Sequence, residues 1–396
     1  MVGAGPVGLS AALALRAEGF PVVVLETQAE SRARPGSRAI FMHRESLVRL
    51  DGACPGLGRA VATKGLVWST KRTFWAGRQV YERTYPPPDP ARLPHATNLS
   101  QVMIEELLLD ACRAAGVDLR WKSEVVTLIS GEGGVRLGTS DGAAWEADFV
   151  VAADGSHSAV RRVLGIAMEG DRSERTFVIV DVAEDPDAPR PVERIFHYRH
   201  PALGGRNLLL VPFAGHWRVD LQCHREDDAD EFASRDGTRR WLGAVLPAGY
   251  ADRITWVSSY RFLQAVAGTF ADTTRRVLLV GEAAHVFAPF GARGLNSGIA
   301  DAVAAARAIR LATSAGNDDR TRAVDEYATT RRAAAQYNRA AAGSALRHLE
   351  GATLPLRAAH GVAAALAGIG ERAGAWLDAA PYGPRARSHR GSSGTY

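Results

Sequence analysis

Apolar residues along this chain recur in two textures. Between Pro6 and Glu18 they fall as Leu9, Ala12 and Leu13 on one helical face, with proline opening the run and Gly19 closing it. That spacing predicts an α-helix. Pro21-Val-Val-Val-Leu-Glu26 is a short β-branched run, which predicts a buried parallel strand. Residues 31–50 read as a polar loop running into a helix that ends near Leu50, and the proline run at 86–90 as a rigid extended connector. Ser100 can cap a helix carrying Ile104, Leu107, Leu108 and Ala111 on one face, stopped by Gly116. Short strands are predicted near 117–128, 133–138 and 146–153. From about 175 to 270 the pattern changes: FVIVDV, ERIFHYRH, NLLLVPF, HWRVDLQC and ITWVSSYRF are evenly spaced strand-like runs, as in a mostly antiparallel sheet. RRVLLVGEAAH then restores a buried strand and a small-residue turn. An Ala-rich helical region runs from 296 to about 378, and the last dozen residues read as a frayed tail.

Gly3-Ala4-Gly5-Pro6-Val7-Gly8 carries the dinucleotide-binding glycine spacing, between a strand remnant and the first helix. Glu26 ends the next strand, 18 residues past Gly8. There a carboxylate can accept hydrogen bonds from a ribose diol, and its charge disfavours a 2′-phosphate. Only Met1 and Val2 remain for the strand beneath the loop. Each missing buried apolar residue would forfeit roughly 1.5–3 kcal/mol, against a total stability of about 5–15 kcal/mol. The expectation is therefore that the biological start lies upstream of Met1. The economical organisation is an α/β, doubly wound (Rossmann-like) domain formed by residues 1–174 and 271–320. It is interrupted by an antiparallel-sheet substrate domain at 175–270 and followed by a C-terminal helical segment and tail at 321–396.

Composition narrows the partners. A hydrophobic fraction of 46% and a charged fraction of 23% are those of an ordinary globular protein. The net charge of +5 is spread without a run of like charges, which argues against nucleic acid and is accounted for by anionic cofactors. Cys54, Cys112 and Cys223 are too few and too scattered for a disulfide framework or a metal site, and point to a reducing, cytoplasmic compartment. No apolar run is long enough to span a membrane.

Two later segments complete the picture. One is Asp148-Phe-Val-Val-Ala-Ala-Asp154-Gly155-Ser-His-Ser-Ala-Val-Arg161; the other runs from Val277 through Gly281-Glu282, Pro289 and Gly294-Leu295-Asn296 to Asp301. With GAGPVG they resemble the three fingerprints of the FAD-dependent aromatic hydroxylases, the single-component flavin monooxygenases with the p-hydroxybenzoate hydroxylase fold. The phenol, phenylpropionate and polyketide hydroxylase branch is nearest, and the resemblance covers nearly the whole chain in the right order. It implies FAD as cofactor, NADPH or NADH as transient co-substrate, and O2 passed through a flavin hydroperoxide to a small aromatic substrate. It assigns to the cofactor Gly3, Gly5, Pro6, Val7, Gly8, Glu26, Arg38, Gln101, Asp154, Arg161, Gly281, Glu282, Pro289, Gly294, Leu295 and Asn296. Glu282 stands where the family usually has Asp. Taken alone, Arg38 also reads as a solvated loop residue, Gln101 as an ordinary first-turn residue, and Asp154 with Arg161 as a structural ion pair. The helix opened by Gly294-Leu295-Asn296 would aim its N–H groups at the negative charge of a reduced flavin.

No catalytic side chain and no metal site is assigned, since the flavin would carry the chemistry. His197 and His200 have a metal-like spacing only, because i and i+3 on a strand face opposite sides. The substrate is expected between the antiparallel sheet and the flavin. Its candidate lining is His197, Tyr198, Trp217, Tyr260, Phe262, Phe287, Pro289 and Phe290, each aromatic having plain core as its alternative. Rival readings are a reductase or dehydrogenase on the same scaffold, or an N-terminally truncated, flavin-poor protein. The Trp-x-Trp-x-Ile-Pro stretch of the related halogenases is absent. A homodimer is left open.

Overall fold

A computed structural model of the chain describes residues 1–32, 39–172, 175–314 and 317–382; the expected tail lies outside them. Val2 sits in the middle of a parallel sheet, bridged to Leu25 on one side and Ala152 on the other. Its N–H donates to Val151 O at 3.0 Å and its carbonyl accepts from Ala153 N at 2.8 Å. Val23–Leu25 continues to Asp118–Arg120, and Val150–Ala152 to Val277–Leu279. The sheet therefore joins the two ends of a doubly wound layer that are far apart in the chain. Helix Pro6–Ala17 buries Leu9, Leu13 and a row of alanines against it, and helices Gln101–Ala114 and Arg293–Ser314 complete the packing. Ser100 caps the former by accepting from Met103 N at 3.2 Å.

The second layer is a seven-stranded sheet in the order Ile254–Tyr260, Phe177–Ala183, His216–Gln222, Arg206–Phe213, Glu193–His200, Thr70–Trp75, Arg78–Thr84. The strand-like runs between 175 and 260 are all present. The sheet is not confined to them, however: Thr70–Trp75 joins Glu193–His200 in parallel and brings Arg78–Thr84 with it. Local pattern could not reveal that pairing, because a strand's partner is a tertiary choice. A further strand, Ala39–His43, precedes helix Arg44–Ala53 where only loop and helix were expected. It pairs with Ala96–Ser100.

Alternation along the strands decides what each face does. Val178, Val180, Val182, Trp217, Val219 and Leu221 form a core under helices Ala229–Ala233 and Arg235–Gly243. Phe177, Ile179 and Asp181 take the other face, with Arg218 and Asp220 beside them. One end of that face is covered by the C-terminal helices through Phe196, Tyr198, Leu349 and Leu377. There the buried Asp378 carboxylate accepts from Thr73 and Arg194, each at 3.0 Å, and from Lys71.

Trp217 is wholly enclosed, its Nε1 donating to Glu184 at 2.7 Å. Trp217→Ala is expected to lower stability by about 3–5 kcal/mol, the usual range for emptying a buried aromatic site. Chemical denaturation of the two proteins checks this, and an unchanged midpoint would contradict the core assignment.

Candidate functional site

The opening glycine loop is held by contacts closer than side chains permit. A Cβ on Gly3, whose φ is +98°, would lie 2.5 Å from Ala153 O, and one on Gly8 would lie 2.1 Å from Gly3 O. Helix Pro6–Ala17 can therefore start directly against the turn after Ala152. Gly5, at its N-cap, has nothing within 4 Å of where a Cβ would stand. Pro6 opens the helix, and Val7 packs where Cβ atoms on Gly281 and Gly298 would stand. The first and third segments are thus in contact.

Glu26 reaches back to the loop: its Oε2 accepts from Ala4 N at 2.7 Å and its Oε1 from Gln28 N at 2.9 Å. A polar chain runs on from it. Arg32 lies 3.3 Å from Glu26 and 3.5 Å from Glu105, and Gln101 Nε2 donates to Glu105 Oε1 at 2.8 Å. Gln101 and Glu26 are therefore members of one network. Sequence reading missed Arg32 and Glu105; the i, i+4 spacing of Gln101 and Glu105 on a helix was the available signal. Arg38 lies outside the described residues.

Asp154 and Arg161 do not form the simple ion pair that a structural reading would give them. Asp154 Oδ2 accepts from Val160 N at 3.0 Å, starting helix Ala159–Val163, while its Oδ1 is buried without a partner. Arg161 is buried and donates to Ser156 O at 3.1 Å and to Ala283 O at 3.0 Å. It ties the second segment to the third.

The third segment turns sharply through Gly281–Ala283, leaving the Glu282 side chain exposed and Gly281 buried. Behind the turn lies a group the sequence reading did not use. Asp301 is fully buried; its Oδ2 accepts from Gly281 N at 3.2 Å and pairs with His285 Nε2 at 2.6 Å, and its Oδ1 accepts from Arg331 Nε at 2.7 Å. Burial alone would raise its pKa, but His285 and Arg331 overcome this and hold it below the usual carboxylate value. Pro289 is exposed in the following turn, where its carbonyl accepts from Ala292 N at 3.0 Å. Gly294 has open space around it, and Leu295 is half-buried against the core. Asn296 is buried: its Oδ1 accepts from His43 N at 3.0 Å and Ser46 Oγ at 2.6 Å, and its Nδ2 donates to Phe41 O at 2.8 Å and Ala292 O at 2.7 Å. Its side chain is thus fully used in fastening the helix start to strand Ala39–His43.

The candidate lining residues separate into groups. Tyr260, Phe262 and Phe290 come together around Phe177: Phe177 and Phe262 centroids are 4.8 Å apart, and Phe290 lies 5.7 Å from Phe177 and 5.9 Å from Phe262. Tyr260 stacks with Phe262 at 6.5 Å. Phe287 stacks instead on His285 at 4.6 Å. The remaining three need correction. Trp217 and His197 fall on the opposite sheet face, His197 stacking on Phe74 at 4.7 Å. Tyr198 is enclosed beneath the C-terminal helices, its OH donating to Leu377 O at 2.9 Å. His197 and His200 are not on opposite sides either. A register irregularity with Arg199 at φ +53° brings their rings to 4.7 Å, since a bulge cancels the two-residue alternation. Burial, with His200 and Arg190 nearby, pushes the His197 pKa down to about 4. No group of three metal-ligating side chains occurs among the described residues, and none of their helices is long and apolar enough to cross a membrane.

Against this geometry, a family model described as FAD binding domain matches residues 1–342. The chain belongs to this FAD-binding family. Within it, the chain is 30% identical over 347 residues to a 6-methylpretetramide 4-monooxygenase of Streptomyces rimosus, covering 84% of this chain and 58% of that one. It is 29% identical over 324 residues to a 3-(3-hydroxy-phenyl)propionate/3-hydroxycinnamic acid hydroxylase of Mycobacterium avium (strain 104), covering 76% and 53%. The chain thus spans little more than half the length of these relatives. Among solved structures, p-nitrophenol 4-monooxygenase PnpA from Pseudomonas putida DLL-E4 superposes with a TM-score of 0.76 at 24% identity, over 97% of this chain and 98% of that one. The flavin-dependent monooxygenase PieE, in complex with FAD and substrate, gives 0.71 at 24% identity, over 88% and 63%. At these identities the likeness shows the shared fold.

Removing one charge from the buried set around Asp301 leaves others unpaired. Asp301→Asn is expected to cost about 3–5 kcal/mol at neutral pH. Because the Asp301 pKa is depressed in the folded state, the stability it brings is present above the unfolded value of about 4 and lost as pH falls through the folded one. Denaturation curves of the two proteins should therefore converge in acid; a constant gap would contradict the assignment.

Proposed function

We propose that this chain is a FAD-dependent monooxygenase that hydroxylates an electron-rich aromatic ring, phenolic or polyketide-like, at the expense of NAD(P)H and O2. The observation that carries the proposal is the convergence of three loops, distant in sequence, on the same end of the parallel sheet, next to an aromatic sheet face. The residues fit a flavin dinucleotide. Gly5 and Gly294 leave open space at the N-termini of two helices in contact with each other, where N–H groups favour phosphate and anionic ring oxygens. Asp154 keeps a buried oxygen without a protein partner, as a residue awaiting a ligand would.

In this reading the loop Gly3–Gly8 holds the pyrophosphate, Glu26 the ribose diol, and Gln101 and Arg38 the flavin side. Asp154 and the Gly281-Glu282 turn serve the ribityl chain, with Arg161 keeping the two turns together. The N–H groups at Gly294-Leu295-Asn296 face the ring, and the Asn296 side chain acts by fixing their position. When bound, FAD accepts a hydride from NAD(P)H and activates O2 for transfer of one oxygen atom. The chain's own part is to orient the aromatic substrate, with Tyr260, Phe262 and Phe290 against one of its faces, and to keep water away. Cys54, Cys112 and Cys223 as free thiols are in keeping with a cytoplasmic setting.

The test supplies the FAD-loaded protein with NAD(P)H, isotopically labelled O2 and a panel of phenols and polyketide aromatics. Label in a hydroxylated product supports the proposal. NAD(P)H oxidation with no label in any product would reassign the chain to reductase chemistry. A second prediction isolates the cofactor cradle. Gly5→Ala places a methyl group in open space, so stability without FAD should stay within about 0.5 kcal/mol, while FAD affinity falls by tenfold or more. Equal affinity for FAD would move the phosphates away from this loop.

A further inference from the structure

The sheet face opposite the helix-covered core carries an acid that the fold leaves incomplete. Asp181 lies mid-strand in Phe177–Ala183, is fully buried, and has no hydrogen-bond partner at either carboxylate oxygen. Its cross-strand neighbour Arg218 does not supply one. Arg218 instead donates to both oxygens of Asp220, Nε at 2.7 Å and Nη2 at 3.1 Å, and its Nη1 donates to Ala39 O at 3.4 Å. A buried carboxyl without partners is costly to keep, so the site asks for a ligand group.

Its position says which ligand. Phe177, four residues before Asp181 on the same face, packs against Phe262 and Phe290, and Phe290 belongs to the turn before helix Arg293–Ser314. Arg218 touches Ala39, the first residue of the strand that Asn296 fastens to that helix. The acid therefore shares its sheet face with the aromatic cluster and is linked, through Arg218 and the strand that Ala39 opens, to the helix start proposed to face the flavin.

We propose that Asp181 is the proton acceptor for the hydroxyl group of a phenolic substrate, with Arg218 stabilising the phenolate that results. In this step the phenol O–H bond breaks and an Oδ–H bond forms on Asp181. The electron pair stays on the ring oxygen, and the ring becomes the more electron-rich partner for oxygen transfer. The inference rests on the monooxygenase reading. The charged groups acting on Asp181 are Arg218 and Asp220, with Tyr260 acting in turn on Arg218. Arg194, Lys71 and Tyr198, with Asp378 against them, lie toward the other end of the same face, under the C-terminal helices. Asp230 and Glu231, on helix Ala229–Ala233, lie exposed behind the sheet. Burial, opposed by Arg218 and assisted by Asp220, pushes the Asp181 pKa up to about 8. That brings it nearer to a phenol's, as efficient proton transfer requires.

The test compares wild type, Asp181→Asn and Asp181→Glu, all loaded with FAD, using phenol and 3-hydroxyphenylpropionate as probes. The carboxylate must be ionised to act, so wild-type hydroxylation should rise with pH, half-maximal near 8, to a plateau above it. The Asn variant should lose roughly 100-fold on that plateau, within the usual range for acid–base groups, and the break near 8 with it; the Glu variant should recover a break. Equilibrium binding of the probes, read by perturbation of the flavin spectrum, should tighten by about tenfold or more from pH 6.5 to 9 in wild type, since a charged acceptor binds more strongly. It should stay flat in Asp181→Asn. If the probes are bound and hydroxylated with the same pH profile in both proteins, the proton-acceptor role is overturned and the monooxygenase reading stands. If no phenol of either kind is bound or hydroxylated by wild type, both fall together.

Discussion

Everything at the candidate site depends on backbones approaching more closely than a Cβ atom allows. Gly3, Gly8 and the carbonyl of Ala153 occupy a space in which one methyl group would collide. This contact sets helix Pro6–Ala17 directly against the end of the parallel sheet. Val7, the next residue along, fills the space beside Gly281 and Gly298. Three loops separated by well over a hundred residues are thereby held at one sheet end, where helix N-termini present unpaired N–H groups.

Polar ties then lock what the close packing brings together. Arg161 bridges to Ala283, and Asp301 holds the Gly281 turn, His285 and Arg331 at once. Asp301 is matched by charged partners and Arg161 by backbone carbonyls, and these ties fix the turns relative to one another. Asn296 does the same for the start of the long helix, using all of its side-chain hydrogen-bonding capacity on strand Ala39–His43 and its surroundings. Asp181 is the contrast, an equally buried acid whose two oxygens are left without partners. Asp301 and Asp378 are completed by the fold, which is why an incomplete acid is informative.

The sequence by itself determined the elements that rest on local chemistry. The glycine spacing, the helix that Pro6 opens and the cap at Ser100 are backbone requirements written in single residues. The strand runs of 177–260 follow from β-branched and alternating composition. Family membership was equally legible, because three fingerprints in order are far more specific than any one of them. Tyr260, Phe262 and Phe290 lie near one another around Phe177 in the fold.

Only the tertiary structure decided what lies across from what. Strand Thr70–Trp75 could join the distant sheet because strand pairing is satisfied by any neighbour with open N–H and C=O groups. The bulge at Arg199 overrode simple alternation, and sheet parity sent Trp217 and His197 to the core side while leaving Asp181 on the face it shares with Phe177. An acid within an apolar strand such as FVIVDV was visible in the sequence, but whether it meets a partner depends on residues brought beside it by folding. Composition can name a carboxylate; its ionisation and purpose are set by the burial and the charges that surround it in three dimensions.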